Sequence, residues 1–211
     1  MKSAPSVGMS RSPTNRLLEL LRLRGGVARR NDLAAYGVTS ESLQQALRDG
    51  LVVRIGRGVY RMAEAPPFGS ISSFAQAVLA VKHGVICLVS ALAYHELTTE
   101  ISMRVDVAVS RRTTARTVEV PIRIVKMPLS RFTHEVQQVR TDTGERFPIF
   151  SSARSVCDAF AFSTYVSESI AYEALRTYLT KPGADPAKLL EQARFTKTEL
   201  IIAPVVRAHL A

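Results

Sequence analysis

A chain of 211 residues is long enough for one large domain or for a small module joined to a medium one, and its charge distribution favours the second. With 46% hydrophobic and 22% charged residues, wholesale disorder and collagen-like architectures are excluded, and the longest apolar run, Val85 to Tyr94 with Ser90 inside it, is too short to cross a membrane. The formal net charge of +10 is concentrated: residues 1–62 hold 11 basic and 4 acidic side chains, net +7, whereas residues 63–211 hold 17 and 14, net +3. Anchoring to a membrane surface would need a basic amphipathic helix with bulky apolar residues opposite, and none is evident. Nucleic acid is the partner this asymmetry suggests.

The first residues, MKSAPSVGMSRSP, lack the apolar centre of a secretory signal, so residues 1–13 are expected to be a disordered tail and the protein cytoplasmic. Cys87 and Cys157 stand far apart, without CxxC or Cys/His spacing. They are expected to be buried thiols in a reducing compartment, with neither a disulfide nor a metal site.

Thr14 can cap a first helix running to Arg24, with Leu17, Leu20 and Leu21 on one side, ended by Gly25 and Gly26. After Arg29 and Arg30, Asn31 or Asp32 can cap a short second helix that Gly37 closes. Thr39 or Ser40 then opens a third, ESLQQALRDG, which ends at Gly50. Helix, tight glycine turn, helix is the spacing of a helix-turn-helix. On the third helix Leu43, Ala46 and Leu47 share one face, leaving Glu41, Gln45 and Arg48 opposite and Gln44 at the flank. Gln can read adenine and Arg can read guanine, and a hydroxyl at the helix start, Thr39 or Ser40, can hold phosphate. The stretch LVVRIGRGVYRM follows, with Val53 and Ile55 alternating with Arg54, a turn at Gly56-Arg57-Gly58, and a return through Val59, Tyr60 and Arg61. It is predicted to form a two-stranded wing whose Arg54, Arg57 and Arg61 lie beside the phosphate backbone while its apolar residues close a small core.

Residues 65–70, APPFGS, are expected to link this module, residues 14–64, to a second domain over 71–211. There Phe74, Val78 and Val81 have helical spacing, and VICLVSALAYHEL is expected to be one buried helix. MRVDVAV and VPIRIVK alternate as strands, the first with Val105, Val107 and Val109 on one face and Asp106 and Ala108 on the other. Val136 to Arg140 and Glu145 to Phe150 flank Thr141 to Gly144 as a hairpin. Ser151 or Ser152 caps a helix bearing Ala153, Val156, Cys157 and Phe160; Ser167 starts another, Asp185 and Pro186 a third, and Thr196 with Glu199 a last one kinked at Pro204. The fold class expected is α+β: an N-terminal winged helix-turn-helix domain followed by a mixed α/β domain with a helical C-terminal half.

Catalytic motifs are scarce. Ser90 lacks the glycines of a nucleophile elbow and reads as a core serine bonded to its own helix; His95 beside Glu96 reads as a helix-end histidine. No HExxH, Walker loop or protein-kinase glycine loop occurs. Asp106, Lys126, Arg154 and Asp158 could still supply a metal-binding carboxylate and cations for phosphotransfer with ATP and Mg²⁺, although a structural ion pair along one helix and two solvated strand residues describe them better.

Taken in order, GVTSESLQQALRDGLVVRIGRGVYRM, GVICLVSALAYHELT and FSSARSVCDAF resemble the AbiEi family of antitoxins of type IV toxin-antitoxin systems, over residues 15 to about 165. The resemblance implies repression of its own operon by binding operator DNA through the N-terminal domain, and neutralisation of a cognate nucleotidyltransferase toxin through the C-terminal one, with no cofactor. Winged modules often pair cooperatively on inverted repeats, which is expected here too. DNA contacts would fall on Arg29, Arg30, Thr39, Ser40, Gln44, Gln45, Arg48, Arg54, Arg57 and Arg61. Two alternatives stand beside this reading: an atypical kinase that disables the toxin by phosphorylating it, and a ligand-responsive winged-helix regulator.

Overall fold

In a computed structural model of the chain, residues 12–23, 26–64, 71–111, 121–140 and 146–210 are described. Two compact units divide it, Met1–Ala65 and Pro66–Ala211. The expected tail, apart from its last two residues, and the expected linker lie outside the described residues.

In the N-terminal unit, helix α1 (Pro13–Arg22) starts earlier than expected. Ser12, not Thr14, is the cap: its hydroxyl accepts from the Asn15 N–H at 3.2 Å. Pro13 at the first helical position explains the shift, because its ring pre-sets the helical φ and it has no N–H to leave unpaired. Strand β1 (Val27–Arg29), too short for alternation to reveal, runs straight into α2 (Arg30–Ala35). Arg29 therefore occupies the cap position without a side-chain bond, and Asn31 and Asp32 fall inside the helix they were expected to cap. Gly37 closes the turn at φ +79°, a conformation cheap only without a Cβ. Helix α3 (Ser40–Arg48) is capped by Thr39, whose hydroxyl accepts from the Ser42 N–H at 3.2 Å.

Strands β2 (Val52–Gly56) and β3 (Val59–Met62) form the hairpin, and β1 adds to its far side, giving an antiparallel sheet in the order β1-β3-β2. A bulge between Arg54 and Gly56 interrupts the register. Consequently Val52 and Ile55 point inward while Val53, expected in the core, is exposed with Arg54. An extra residue on one strand moves everything beyond it to the other face. Leu17, Leu21, Leu33, Val38, Leu43, Ala46, Val52 and Met62 make the core that holds the three helices on the sheet.

The C-terminal unit is built on a mixed sheet in the order β6-β5-β4-β8-β7. Helix α4 (Ile71–Ala80) precedes β4 (Val85–Ile86), and α5 (Leu88–Tyr94) follows it. The single buried helix expected over VICLVSALAYHEL is thus a two-residue central strand and a shorter helix; a continuous apolar run carries no period that separates the two. Gly84, just before β4, sits so close to Val107 that a Cβ would collide with its methyl group. Beyond α5 come β5 (Val105–Ser110), β6 (Ile122–Met127), the short α6 (Leu129–Phe132), and the antiparallel pair β7 (Val136–Arg140) and β8 (Arg146–Phe150). The hairpin's expected turn, 141–144, and Glu145 lie outside the described residues. β5 runs parallel to β6, and β4 antiparallel to β5 and parallel to β8.

Helices cover both faces of this sheet. Val105, Val107 and Val109 pack with Phe74 and Ala77 of α4. Ala108, Val125 and Met127 face the other core, made by α5 with α7 (Ser152–Ala161), α8 (Glu168–Thr180), α9 (Pro186–Thr196) and α10 (Glu199–Leu210). All six residues of β5 are consequently buried. Ser151, Ser167 and Asp185 cap α7, α8 and α9 through their side chains, with Pro186 in the first turn of α9. Thr196 does not cap the last helix. It ends α9, buried, donating to the Gln192 carbonyl at 2.8 Å, and Lys197 at φ +62° makes the break before α10, which continues through Pro204.

Candidate nucleic-acid interface

The buried stripe of α3, Leu43 and Ala46 with half-buried Leu47, seats the helix on its unit and turns Ser40, Glu41, Gln44, Gln45 and Arg48 to solvent. These side chains form an ordered row. Arg48 donates to the Gln45 side-chain Oε1 at 2.7 Å, and the Gln45 side-chain amide N–H donates to Asp49 Oδ1 at 2.7 Å. Held at both ends, the Gln45 amide is oriented before any ligand arrives, which lowers the entropy of a bidentate contact. The sequence reading missed Asp49; its i, i+4 relation to Gln45 is the signal that could have found it.

On the hairpin, Arg57 is exposed at the turn, where Gly58 takes φ +70°. Arg54 is exposed too and donates to the Gly56 carbonyl at 3.2 Å, bracing the bulge. Arg61 lies half-buried on the central strand, opposite Val27 on one side and Val53 on the other. Arg29 ends β1 opposite Val59. Besides Gln45, Arg48 and Arg54, Thr39 and Arg30 are engaged within the protein: Thr39 spends its hydroxyl on the helix cap, and Arg30 donates to the Val38 carbonyl at 3.2 Å and to the Ser40 hydroxyl at 2.9 Å.

The polar groups of the C-terminal unit are arranged otherwise. Asp106 is fully buried and accepts a two-pronged pair from Arg123 at 2.6 and 2.8 Å. Arg123 also donates to the Tyr165 carbonyl at 3.2 Å and lies over the Tyr165 ring at 5.3 Å. Sequence reading did not single out Arg123; the parallel register that places it beside Asp106 is a tertiary fact. Ser90 does not bond to its own helix as expected but accepts the Asp106 backbone N–H at 2.9 Å, pinning α5 to β5. Arg154 and Asp158, both fully buried, pair at 2.9 Å along α7. The same guanidinium donates to the Arg131 and His134 carbonyls at 3.1 and 3.3 Å and stacks over Phe150 at 4.7 Å. Burial raises the Asp158 carboxyl above its ordinary range, with Arg154 opposing.

Lys126 is exposed on β6. The four phosphotransfer candidates therefore divide into a helix pair, a strand carboxylate paired with Arg123, and a solvated lysine. Both carboxylates are enclosed and matched by arginine, an arrangement suited to scaffolding rather than to coordinating a metal. Among the described residues, no group of three or more His, Cys, Asp or Glu side chains could hold a metal ion. His95 bonds through Nε2 to the Phe150 carbonyl at 2.8 Å, and burial pulls its pKa down. Cys87 and Cys157 are buried free thiols, the second pushed up to about 12 by desolvation. A cleft of about 220 Å³ is lined by His95, Ser152, Tyr178 and Lys181 among others. Among the described residues, no helix is long and apolar enough to cross a membrane.

A three-helix unit whose third helix exposes a polar face and precedes a basic hairpin defines a winged helix-turn-helix, the fold class of DNA-binding regulators. Residues 15–63 match the family model described as "Transcriptional regulator, AbiEi antitoxin", and this segment runs from within α1 to the end of β3. The likeness to AbiEi antitoxins is thus shown for the N-terminal unit. No curated protein matches the chain.

Proposed function

We propose that the protein is a cytoplasmic antitoxin that binds operator DNA, represses its own operon and neutralises a cognate nucleotidyltransferase toxin without a cofactor. The observation that carries the DNA-binding part is the exposed row on α3, Gln44, Gln45 and Arg48, on the helix directly preceding a hairpin with exposed Arg54 and Arg57. Arg29, Ser40, Arg54, Arg57 and Arg61 would meet phosphate, and Gln44, Gln45 and Arg48 would read base edges. Thr39 would orient the helix through its cap. Cooperative pairing on inverted repeats would follow from a twofold operator.

Anisotropy titration of a labelled duplex selected from a random-sequence pool, against a scrambled control, tests DNA reading. Equal affinity for both at physiological salt removes it. Co-expression with the neighbouring gene, scored by growth and by intact mass of the neighbour product, tests neutralisation. Rescue with unchanged mass supports neutralisation by binding, and a phosphate-sized increase supports the kinase alternative, which the enclosed positions of Asp106 and Asp158 disfavour. The cleft beside His95 and Lys181 favours a second reading, a ligand-responsive regulator. A thermal shift with a metabolite, lost in Lys181→Ala, is the outcome that reading requires.

A further inference from the structure

We propose that Arg30 is a positioning residue that fixes the recognition helix relative to the wing, rather than a DNA contact. This rests on the DNA-binding reading above. Arg30 holds both elements at once: its backbone N–H donates to the Gly58 carbonyl at the hairpin turn at 2.6 Å, while its guanidinium reaches the Val38 carbonyl at 3.2 Å and the Ser40 hydroxyl at 2.9 Å. Val38 and Ser40 flank Thr39, the cap of α3. A planar fork gripping on both sides of a cap restrains the direction of the first turn as well as its place.

The C-terminal end of α3 is joined to β2 by Asp49 to Leu51 alone, and the Leu51 N–H is tied back to the Ala46 carbonyl at 3.0 Å. The N-terminal end rests on the core through Leu43, and Arg30 adds a polar tie there. Gly58, whose carbonyl accepts the Arg30 N–H, takes φ +70°, a turn conformation that suits glycine. A cation at a helix N-terminus works against the helix dipole, so the contact is poorly suited to stabilising α3 for its own sake. Turning outward to a phosphate would release both acceptors and undo that tie, so grip and contact compete for one side chain.

The test compares wild type, Arg30→Ala, Arg30→Lys and Arg57→Ala on a duplex selected by the wild type and on a scrambled duplex, over a range of salt, with amide exchange at Ser42 and Leu43 in the free protein. Arg30→Ala is expected to lose about tenfold on the selected duplex, the scale of one lost discriminating contact, with the scrambled duplex and the salt slope unchanged. Arg30→Lys keeps the charge but not the fork and does not rescue; it also keeps the series readable where Arg30→Ala fails to fold. Exchange at Ser42 and Leu43 accelerates in both. Arg57→Ala is the contrast, weakening both duplexes and lowering the slope by about 0.9. Arg30→Ala behaving like Arg57→Ala with rescue by lysine, or matching wild type on both duplexes, overturns the proposal. Where wild type itself shows no preference, the DNA reading falls and exchange decides: unchanged rates at Ser42 and Leu43 overturn the joint as well.

Discussion

Helices α3 and α7 are of nearly equal length and begin alike, each with a hydroxyl accepting the N–H three residues on, yet they put charge to opposite uses. α3 buries one narrow stripe and leaves Gln45 and Arg48 in water, where the donors not used along the row are available to a ligand. α7 lies under α5, α8 and α9 and buries seven of its ten residues, including Arg154 and Asp158. An arginine in water costs little and can bind; an arginine without water needs a counter-charge and buried acceptors, as Arg154 has in Asp158 and the Arg131 and His134 carbonyls, and becomes part of the scaffold. Local sequence treats the two helices as similar, and burial separates them.

The sharpest way to break this comparison is to remove one partner in the buried helix. Asp158→Ala should cost about 3–5 kcal/mol in urea unfolding, because Arg154 is left buried without its counter-charge. Replacing both members with apolar residues, Arg154→Met with Asp158→Leu, should recover much of that loss; a single variant as stable as wild type would show that the pair is solvated after all. Within the hairpin the same rule separates neighbours. Ile55→Ala should cost about 2–4 kcal/mol, whereas Val53→Ala should stay within about 0.5 kcal/mol, since the bulge turns Val53 outward.

On the exposed helix, Arg48→Ala should change stability by no more than about 0.5 kcal/mol yet cost about 1–3 kcal/mol of discrimination between selected and scrambled duplexes, read by anisotropy. The smallest effect concerns pH. Burial, and secondarily the nearby Lys181 charge, hold His95 below its ordinary pKa of 6.5, against the opposing bond to the Phe150 carbonyl. Below that pH the unfolded chain takes up a proton that the folded protein resists, so this contribution to stability is complete above 6.5 and is lost as pH falls beneath it. The urea midpoint should therefore fall between pH 7.5 and pH 5.5, with a smaller fall in His95→Gln.

Much of the interface was legible because its signals are local. Gly37, Thr39 and the spacing of Leu43 and Ala46 act within one or two turns of chain, and they place the recognition face without reference to anything distant. The C-terminal unit was legible at its caps, where Ser167 or the Asp185-Pro186 pair acts on backbone a few residues away. It was not legible where the chain is apolar throughout. Val85 and Ile86 form a strand only because β5 and β8 lie on either side of them to complete their hydrogen bonds.

The roles of individual charges followed the same division. Sequence by itself determined the basic N-terminal third, the helix-turn-helix spacing and the polar face of α3, because charge density and a 3.6-residue period are properties of a single segment. Only tertiary structure decided that Arg123 belongs to Asp106, that Val53 faces water, and that Arg30 turns inward to Val38 and Ser40. A partner brought near by folding is not encoded in the spacing of either residue, and the energy of a charged group depends on that partner and on the water it loses.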